Sequence, residues 1–389
     1  MLTKITLNNF KSFKNPVTID LMKTNYTMLP SNVANCGVLK GCVFVGANAS
    51  GKSNIIIGIK LLLDFMFSEK NIDAGLMLCM FGKSREYSIT YEFLIDGKKI
   101  QYTFNIEYFK PMISEQLFID DKLFLERIGT SAKSYIADPL GISYDEKDVS
   151  KDTLFLRTLY FNTKFASNST LEKWMQFLKK SFYIDMFEKM IVSYDRTKVS
   201  LHEFLDNNGC NIINNFFDEY NFEQKVEYEH STKGGRLRWV VGDNEDEKSI
   251  FFKRKSINTP IPFEEESLGN QNLLRILPTF FSVIKNGGML LADEFSSGFH
   301  NDLEKLLIKY FMEKSYNSQI LFVSHSTNLL SNAILRPDQE YSVEFHGEDG
   351  SSVHRFSEEQ PRAAQNVEKM YVSGVFGGLP RYNEVNHED

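Results

Sequence analysis

Apolar and polar residues alternate through Tyr87, Ile89, Tyr91, Phe93 and Ile95, pause at Asp96-Gly97, and resume through Ile100, Tyr102, Phe104 and Ile106. A period of two on both sides of an Asp-Gly pair predicts a β-hairpin, and a third strand around Ile113 to Ile119 extends it into an antiparallel meander. Upstream, residues 2–7 and 17–21 read as extended pieces, and 38–45 as a short buried strand. From Asn54 to Phe67 apolar residues crowd a helical period, with Lys60 and Asp64 on the polar side. Residues 150–228 read as mostly helical, most clearly over 171–191 and 201–221. They carry no sustained heptads, which favours a compact helical arm over a coiled coil. Strand pattern returns over 236–241 and 248–253 around Gly242-Asp243-Asn244. The final third then alternates: helix 270–285, strand 289–292, helix 302–316, strand 319–323, helix 328–335.

Such alternation predicts an α/β fold with a parallel-sheet core, an antiparallel β-subdomain and an inserted helical arm. Three parts are expected: 1–149, 150–230 and 231–389. The 389 residues include 33 Phe and 17 Tyr, and 42% are hydrophobic, so the chain has ample apolar surface to build a core. A net charge of −7 argues against a globally basic nucleic-acid binder. Lys179-Lys180 and Lys253-Arg254-Lys255 are the compact basic clusters, and Asp243 to Glu247 reads as a solvated acidic turn. Cys36, Cys42, Cys79 and Cys210 show neither metal-ligand spacing nor a paired framework, which fits a reducing compartment. With no apolar signal region and no long apolar span, the expected location is the cytoplasm.

The chemistry concentrates in a few short segments. Gly46-Ala47-Asn48-Ala49-Ser50-Gly51-Lys52-Ser53 matches G-x-x-x-x-G-K-[ST] between a predicted strand and a helix opened by Asn54. Loop N–H groups and a helix N-terminus there cradle phosphates, Lys52 reaches the β- and γ-phosphates, and the Ser53 hydroxyl ligates Mg²⁺. Met289-Leu290-Leu291-Ala292-Asp293-Glu294 is an apolar strand ending in two carboxylates. Asp293 is placed to support the metal shell and Glu294 to orient or deprotonate water. His325 follows another apolar strand, where it can bond the γ-phosphate or the attacking water. Ser267 and Gly269 open a Leu-rich helix and offer a hydroxyl and free N–H groups to a phosphate. Since Gly46 to Ser53 already hold one nucleotide, this second anion site would serve the ATP of another subunit. His300 is left between a surface turn and a functional role.

The order NFKSF, GANASGKSN, SLGNQN, LLADE and SHS resembles the ATP-binding-cassette ATPases of the SMC and RecF type. LLADEFSSGFH and the tail MYVSGVFGGLP narrow the resemblance to AAA-type ATPases of bacterial abortive-infection and anti-phage systems, such as the ATPase of PARIS and the OLD-like ATPases. The resemblance implies ATP and Mg²⁺ as cofactors. It makes Lys52 and Ser53 the phosphate and Mg²⁺ ligands, Asp293 and Glu294 the Walker B pair, Ser267 and Gly269 the signature, and His325 the switch histidine. Asn270 and Gln271 depart from the usual signature, and neither Gln101 nor Gln116 can be assigned as the glutamine-loop residue.

The implied function is slow hydrolysis of ATP to ADP and phosphate by a sensor subunit that pairs through an ATP sandwich and controls a separate effector, with a TOPRIM-type nuclease as the model partner. The chain stops soon after GGLP, so any nuclease is expected on that partner. Trp174, Phe177, Phe216, Phe217 and Tyr220 mark the arm as the expected dock. The runner-up reading is a RecF-like repair ATPase that clamps DNA, with salt-dependent DNA affinity as its signature.

Overall fold

The computed structural model describes residues 1–68, 74–108, 112–135, 144–150, 152–162, 168–195, 200–230 and 248–379. The chain divides into two compact units. The first comprises Met1–Asp195, Val283–Ser297 and Asn301–Asp389, and the second Arg196–Ser282 and Gly298–His300. The residues expected to form one arm over 150–230 are therefore shared between the two units.

In the first unit, Leu2–Asn8 (β1) and Val17–Asp20 (β2) precede Gly41–Val45 (β3), which runs into the helix Lys52–Phe67. The predicted hairpin is Glu86–Ile95 (β4) with Lys98–Glu107 (β5), in the register Tyr91↔Tyr102 and Ile89↔Phe104. Met112–Ile119 (β6), Lys122–Ile128 (β7), Ser131–Ser134 (β8) and Tyr144–Glu146 (β9) continue it into an antiparallel sheet of order β2-β1-β4-β5-β6-β7-β8-β9. Along β4 every second residue is buried, from Tyr87 to Ile95, so the alternation seen in the sequence is the inner face of this sheet.

The second sheet holds the parallel core. Phe182–Asp185 (β10) and Met190–Ser193 (β11) enter it before the chain leaves for the second unit. There Gln224–His230 (β12), Lys248–Arg254 (β13) and Ile261–Pro262 (β14) form a small antiparallel sheet. Gly288–Asp293 (β15), Ser318–Val323 (β16), Glu340–Phe345 (β17) and Ser351–Arg355 (β18) then complete the core sheet, in the order β11-β10-β15-β16-β3-β17-β18. Strands β10, β15, β16, β3 and β17 are parallel neighbours. Their C-terminal ends lie together, which is where open α/β sheets place ligands.

The Lys52–Phe67 helix packs between these two sheets. Ile55, Ile56, Ile59, Leu61, Leu62 and Leu63 are all buried, which a helix shows when it is covered on more than one side. Its Gly58 carbonyl accepts a 2.6 Å bond from the Tyr91 hydroxyl of the meander. Farther along the meander, Glu115 and Arg127 are fully buried and 2.9 Å apart. Glu115 also accepts from the Tyr102 hydroxyl and the Phe155 and Leu156 N–H groups, while Arg127 donates to three backbone carbonyls. Every charge of the pair is thereby met, the condition under which a buried ion pair is tolerated.

Several helical expectations fail. The segment 171–191 is helical only over Ser169–Lys179; β10 and β11 follow, and β10 pairs with β15 in the core sheet, one strand in from its edge. The segment 201–221 breaks into Leu201–Asn208 and Asn211–Glu219 at Gly209. Residues 328–335 contain only the end of a 3-10 turn, Thr327–Leu329; beyond it the Ser331 hydroxyl accepts the Ala333 N–H, and the Asn332 amide donates to the distant Ala363 and Gln365 carbonyls. The predicted strand 236–241, its Gly242 turn and the acidic run lie outside the described residues.

The aromatic dock is overturned at three of its five rings, Phe177 and Tyr220 being half-buried. Trp174 is fully buried against Phe93 and Tyr102, and Phe216 and Phe217 are buried in a cluster with Phe222 and Phe281. These rings are core. No helix among the described residues is long and apolar enough to cross a membrane.

Candidate nucleotide-binding site

Residues 46–51 turn from β3 into the Lys52–Phe67 helix with a backbone that only small residues fit. Gly46 has φ +150°, and a Cβ placed there would lie 2.3 Å from the Val343 carbonyl oxygen of β17. Gly51 has φ +106°, and its Cβ would fall 2.4 Å from Ser12 Oγ and 2.7 Å from Ser351 Oγ. The motif glycines are thus fixed by close approach as well as by dihedral angle. Ser12 belongs to the NFKSF segment, and its hydroxyl accepts a 2.8 Å bond from the Asn54 amide. Ser351 Oγ donates to the Ser50 carbonyl at 2.7 Å. Sequence reasoning missed both serines, since their contacts span 42 and 301 residues.

The loop opens onto a cavity of about 350 Å³ lined by residues 48–54, Glu294 and His325. Lys52 Nζ folds back on the carbonyls of Gly46 at 3.0 Å and Ala47 at 2.8 Å. Burial pushes its ammonium pKa down, against the opposing pull of Glu294 and Asp293. Ser53 Oγ donates to Asp293 Oδ1 at 2.9 Å, joining the end of the phosphate loop to the end of β15. Burial raises the Asp293 carboxyl; the Ser53 hydroxyl lowers it, and the nearby charges of Glu294 and Asp185 raise it further.

Glu294 takes φ +52°, a left-handed conformation rare for a residue of its shape and frequent where a functional side chain must be aimed. Its Oε1 lies 3.1 Å from His325 Nε2, and its Oε2 accepts from Ser297 Oγ at 3.1 Å. The His325 N–H donates to Ser296 Oγ, fixing the histidine's backbone beside the acidic turn. The predicted residues 46–54, Asp293, Glu294 and His325 are therefore brought together.

Asp185 was not predicted. It ends β10 and stands opposite Asp293 in the parallel register. Its signal in the sequence was an apolar run, Phe182 to Ile184, closing on a carboxylate, hidden because the segment read as helix. Gln101 of β5 stands opposite Phe118, and Gln116 of β6 opposite Thr103, in the meander.

Ser267 and Gly269 lie in the second unit. Ser267 is exposed and precedes the helix Leu268–Asn286; its Oγ accepts from the Asn270 N–H at 3.4 Å. Glu266 accepts the Ser267 N–H at 2.7 Å and is gripped at both oxygens by Arg254. Burial pulls the Glu266 carboxyl up, but these donors outweigh it and hold it below the ordinary value. Asn270, the departure from the usual signature, exchanges two 3.0 Å amide bonds with Gln224. His300 is exposed. The basic clusters are partly neutralised: Lys179 pairs with Asp195, Lys253 with Glu227 and Arg254 with Glu266.

Residues 42–331 match the family described as an AAA domain, putative AbiEii toxin, Type IV TA system. The chain belongs to this family. The match runs from β3 across the phosphate loop and Asp293-Glu294 to just beyond His325, so the AAA domain contains the whole cluster. Among solved structures, the chain is similar to the SMC head domain from Thermotoga maritima, at 14% identity and TM-score 0.46 over 90% of this chain and 97% of that one. It is also similar to an SMC head domain with an extended coiled coil, bound to the C-terminal domain of ScpA and derived from Pyrococcus furiosus, at 12% identity and TM-score 0.46 over 90% and 95%. No curated protein matches the chain.

The pocket fits ATP with Mg²⁺ on its own chemistry. The Ser50 hydroxyl is buried without a protein partner, and the first N–H groups of the Lys52–Phe67 helix point out of its start. Burial and the crowding of Asp293 with Glu294 and Asp185 create a demand for a cation.

Proposed function

We propose that this chain is the ATP-binding and hydrolysing sensor subunit of a bacterial abortive-infection system, of the PARIS or OLD-like kind, and that it controls a separate effector, a nuclease, from the cytoplasm. The observation that carries the reading is the convergence of Lys52, Ser53, Glu294 and His325 on one cavity, with Asp293 bonded to Ser53. Support for the defence setting comes from the description of the family, which names a putative toxin of a toxin–antitoxin system.

Ser53 and Asp293 would hold Mg²⁺, and the ion would supply a Lewis acid for phosphoryl transfer. Lys52 exchanges the carbonyls of Gly46 and Ala47 for phosphate oxygens. Glu294 orients the attacking water and accepts its proton, and His325, sharing Glu294 Oε1, bonds the γ-phosphate and reports whether it is intact. Ser267 and Gly269 complete the site of a second copy. Hydrolysis then yields a change of state in the ATPase, and a second protein converts that change into damage.

Expression without its genomic neighbours tests this reading. The chain alone is expected to be harmless in a cell, with protection or toxicity appearing when the adjacent genes are restored and disappearing again with Lys52→Ala. Nuclease activity of the purified chain, abolished by a substitution outside the nucleotide cavity, would contradict it.

A further inference from the structure

We propose that the C-terminal segment from the helix Val367–Val372 to Leu379 is a positioning element of the nucleotide site. It holds the first peptide of the phosphate loop in place while Lys52 changes partners. The proposal rests on the reading that nucleotide binds at this loop.

The Ala47 N–H donates to the Gly378 carbonyl at 2.8 Å. That carbonyl is delivered by a built turn. The Phe376 ring stacks on Phe356 with centroids 3.9 Å apart and planes 7° from parallel, and Tyr371 stacks on the same Phe356 at 5.8 Å. The Ser342 hydroxyl of β17 donates to the Phe376 carbonyl. Gly377 and Gly378 have φ +67° and +75°; a Cβ on Gly378 would lie 3.0 Å from Ser342 Cβ, and one on Gly377 2.9 Å from Glu344 Oε2. The FGG of the tail, which carried no chemistry in the sequence, is thus the part of the segment able to reach the loop.

Strand β17 meets both partners, because Val343, the next residue after Ser342, backs Gly46. Lys52 Nζ occupies the carbonyls of Gly46 and Ala47, so moving to a phosphate strips both of their cation. The Ala47 N–H bond to Gly378 is independent of that exchange and keeps the loop entrance from shifting with it. The segment also grips the site at its other side: Thr327 Oγ1, two residues beyond His325, donates to Glu368 Oε1 at 2.8 Å. One stretch of chain therefore fixes both the loop that holds phosphate and the turn that presents the histidine.

The test uses the full chain, fluorescent mant-ATP with Mg²⁺ as the probe, and steady-state turnover. Gly378→Ala is expected to weaken binding about tenfold and Ser342→Ala about threefold, the range set by losing or loosening one hydrogen bond. Melting without nucleotide should stay within about 3 °C of the unchanged protein. Thr327→Val should leave binding within about twofold and lower turnover about threefold, a split between affinity and rate that a merely structural role would not produce. If Gly378→Ala does not fold, Ser342→Ala decides. Folded Gly378→Ala or Ser342→Ala that binds as tightly as the unchanged protein overturns the proposal, as does loss of their affinity only in step with melting temperature. Failure of the unchanged protein to bind mant-ATP more tightly than Lys52→Ala would instead overturn the nucleotide reading, and the positioning role with it.

Discussion

The phosphate loop and the signature segment both place small residues at the start of a helix, yet they are built to different degrees. At the first, a helix N-terminus is joined by a lysine, a serine bonded to an acidic strand end, a second carboxylate and a histidine, all from the first unit. At the second, Ser267 and Leu268 are exposed, and the polar groups that surround them, Glu266, Arg254, Asn270 and Gln224, bond one another and stiffen the turn. A helix start alone offers an anion only a weak and unselective welcome. The first segment is assembled within one unit; on the proposed reading, the second is half of a site, held rigid for a ligand that another copy brings.

The sharpest way to break this comparison is to remove one function from the complete site. Glu294→Gln should cut ATP turnover by about two to four orders of magnitude, the usual contribution of a positioned general base, with nucleotide affinity retained. Lys52→Ala should lose affinity instead. A filter-binding assay beside phosphate release separates them, and equal loss of binding in both variants would contradict the division of roles.

Next in size is the half-site. Ser267→Arg places a long side chain at an exposed position, so folding is spared, and turnover should fall about tenfold or more at protein concentrations where copies pair. Affinity for nucleotide in dilute monomer should be unchanged. Arg254→Ala should have the same character and a smaller effect, about threefold, because it loosens the turn through Glu266 without touching the phosphate. Turnover measured against protein concentration checks both.

The smallest effect sharpens the comparison on the side of His325. Glu304, on the helix Asn301–Lys314, is buried, and its carboxylate accepts from the hydroxyl of Ser324, the residue before the histidine. Burial raises its pKa to about 7, against hydrogen bonds from Ser324 and Ser326 that lower it. A raised acid binds its proton more tightly in the folded chain, so this contribution to stability is complete below about pH 4.5 and is lost as pH rises to about 7. Glu304→Gln should flatten stability over that window, as read by urea denaturation at several pH values. An unchanged pH profile would contradict the assignment.

How much of this was legible follows from how local each signal was. The phosphate loop, the carboxylate pair after 289–292 and the Asp96-Gly97 hairpin are each written in one short consecutive stretch, the longest of them the hairpin from Glu86 to Glu107, and each stands where expected. Strand β10 was hidden because Phe182-Tyr183-Ile184 follows the helix Ser169–Lys179 with no glycine or proline between. Its identity is decided by β15, more than 100 residues later. Asp185 was lost with it. The contact made by the tail is illegible for the same reason: the partner of Gly378, Ala47, is 331 residues upstream. The aromatic residues of the expected arm were legible as apolar mass, but sequence cannot tell a core ring from a docking ring until the elements that cover it are known.

The most direct measurement is light scattering of Glu294→Gln with ATP and Mg²⁺, accompanied by cysteine crosslinking between positions 267 and 49 of different copies. If the signature segment completes the phosphate loop of a second copy, ATP should raise the scattering mass to twice that of the monomer, and the crosslink should form only with nucleotide. A species no larger than nucleotide-free Lys52→Ala, with no crosslink between those positions, would contradict the account.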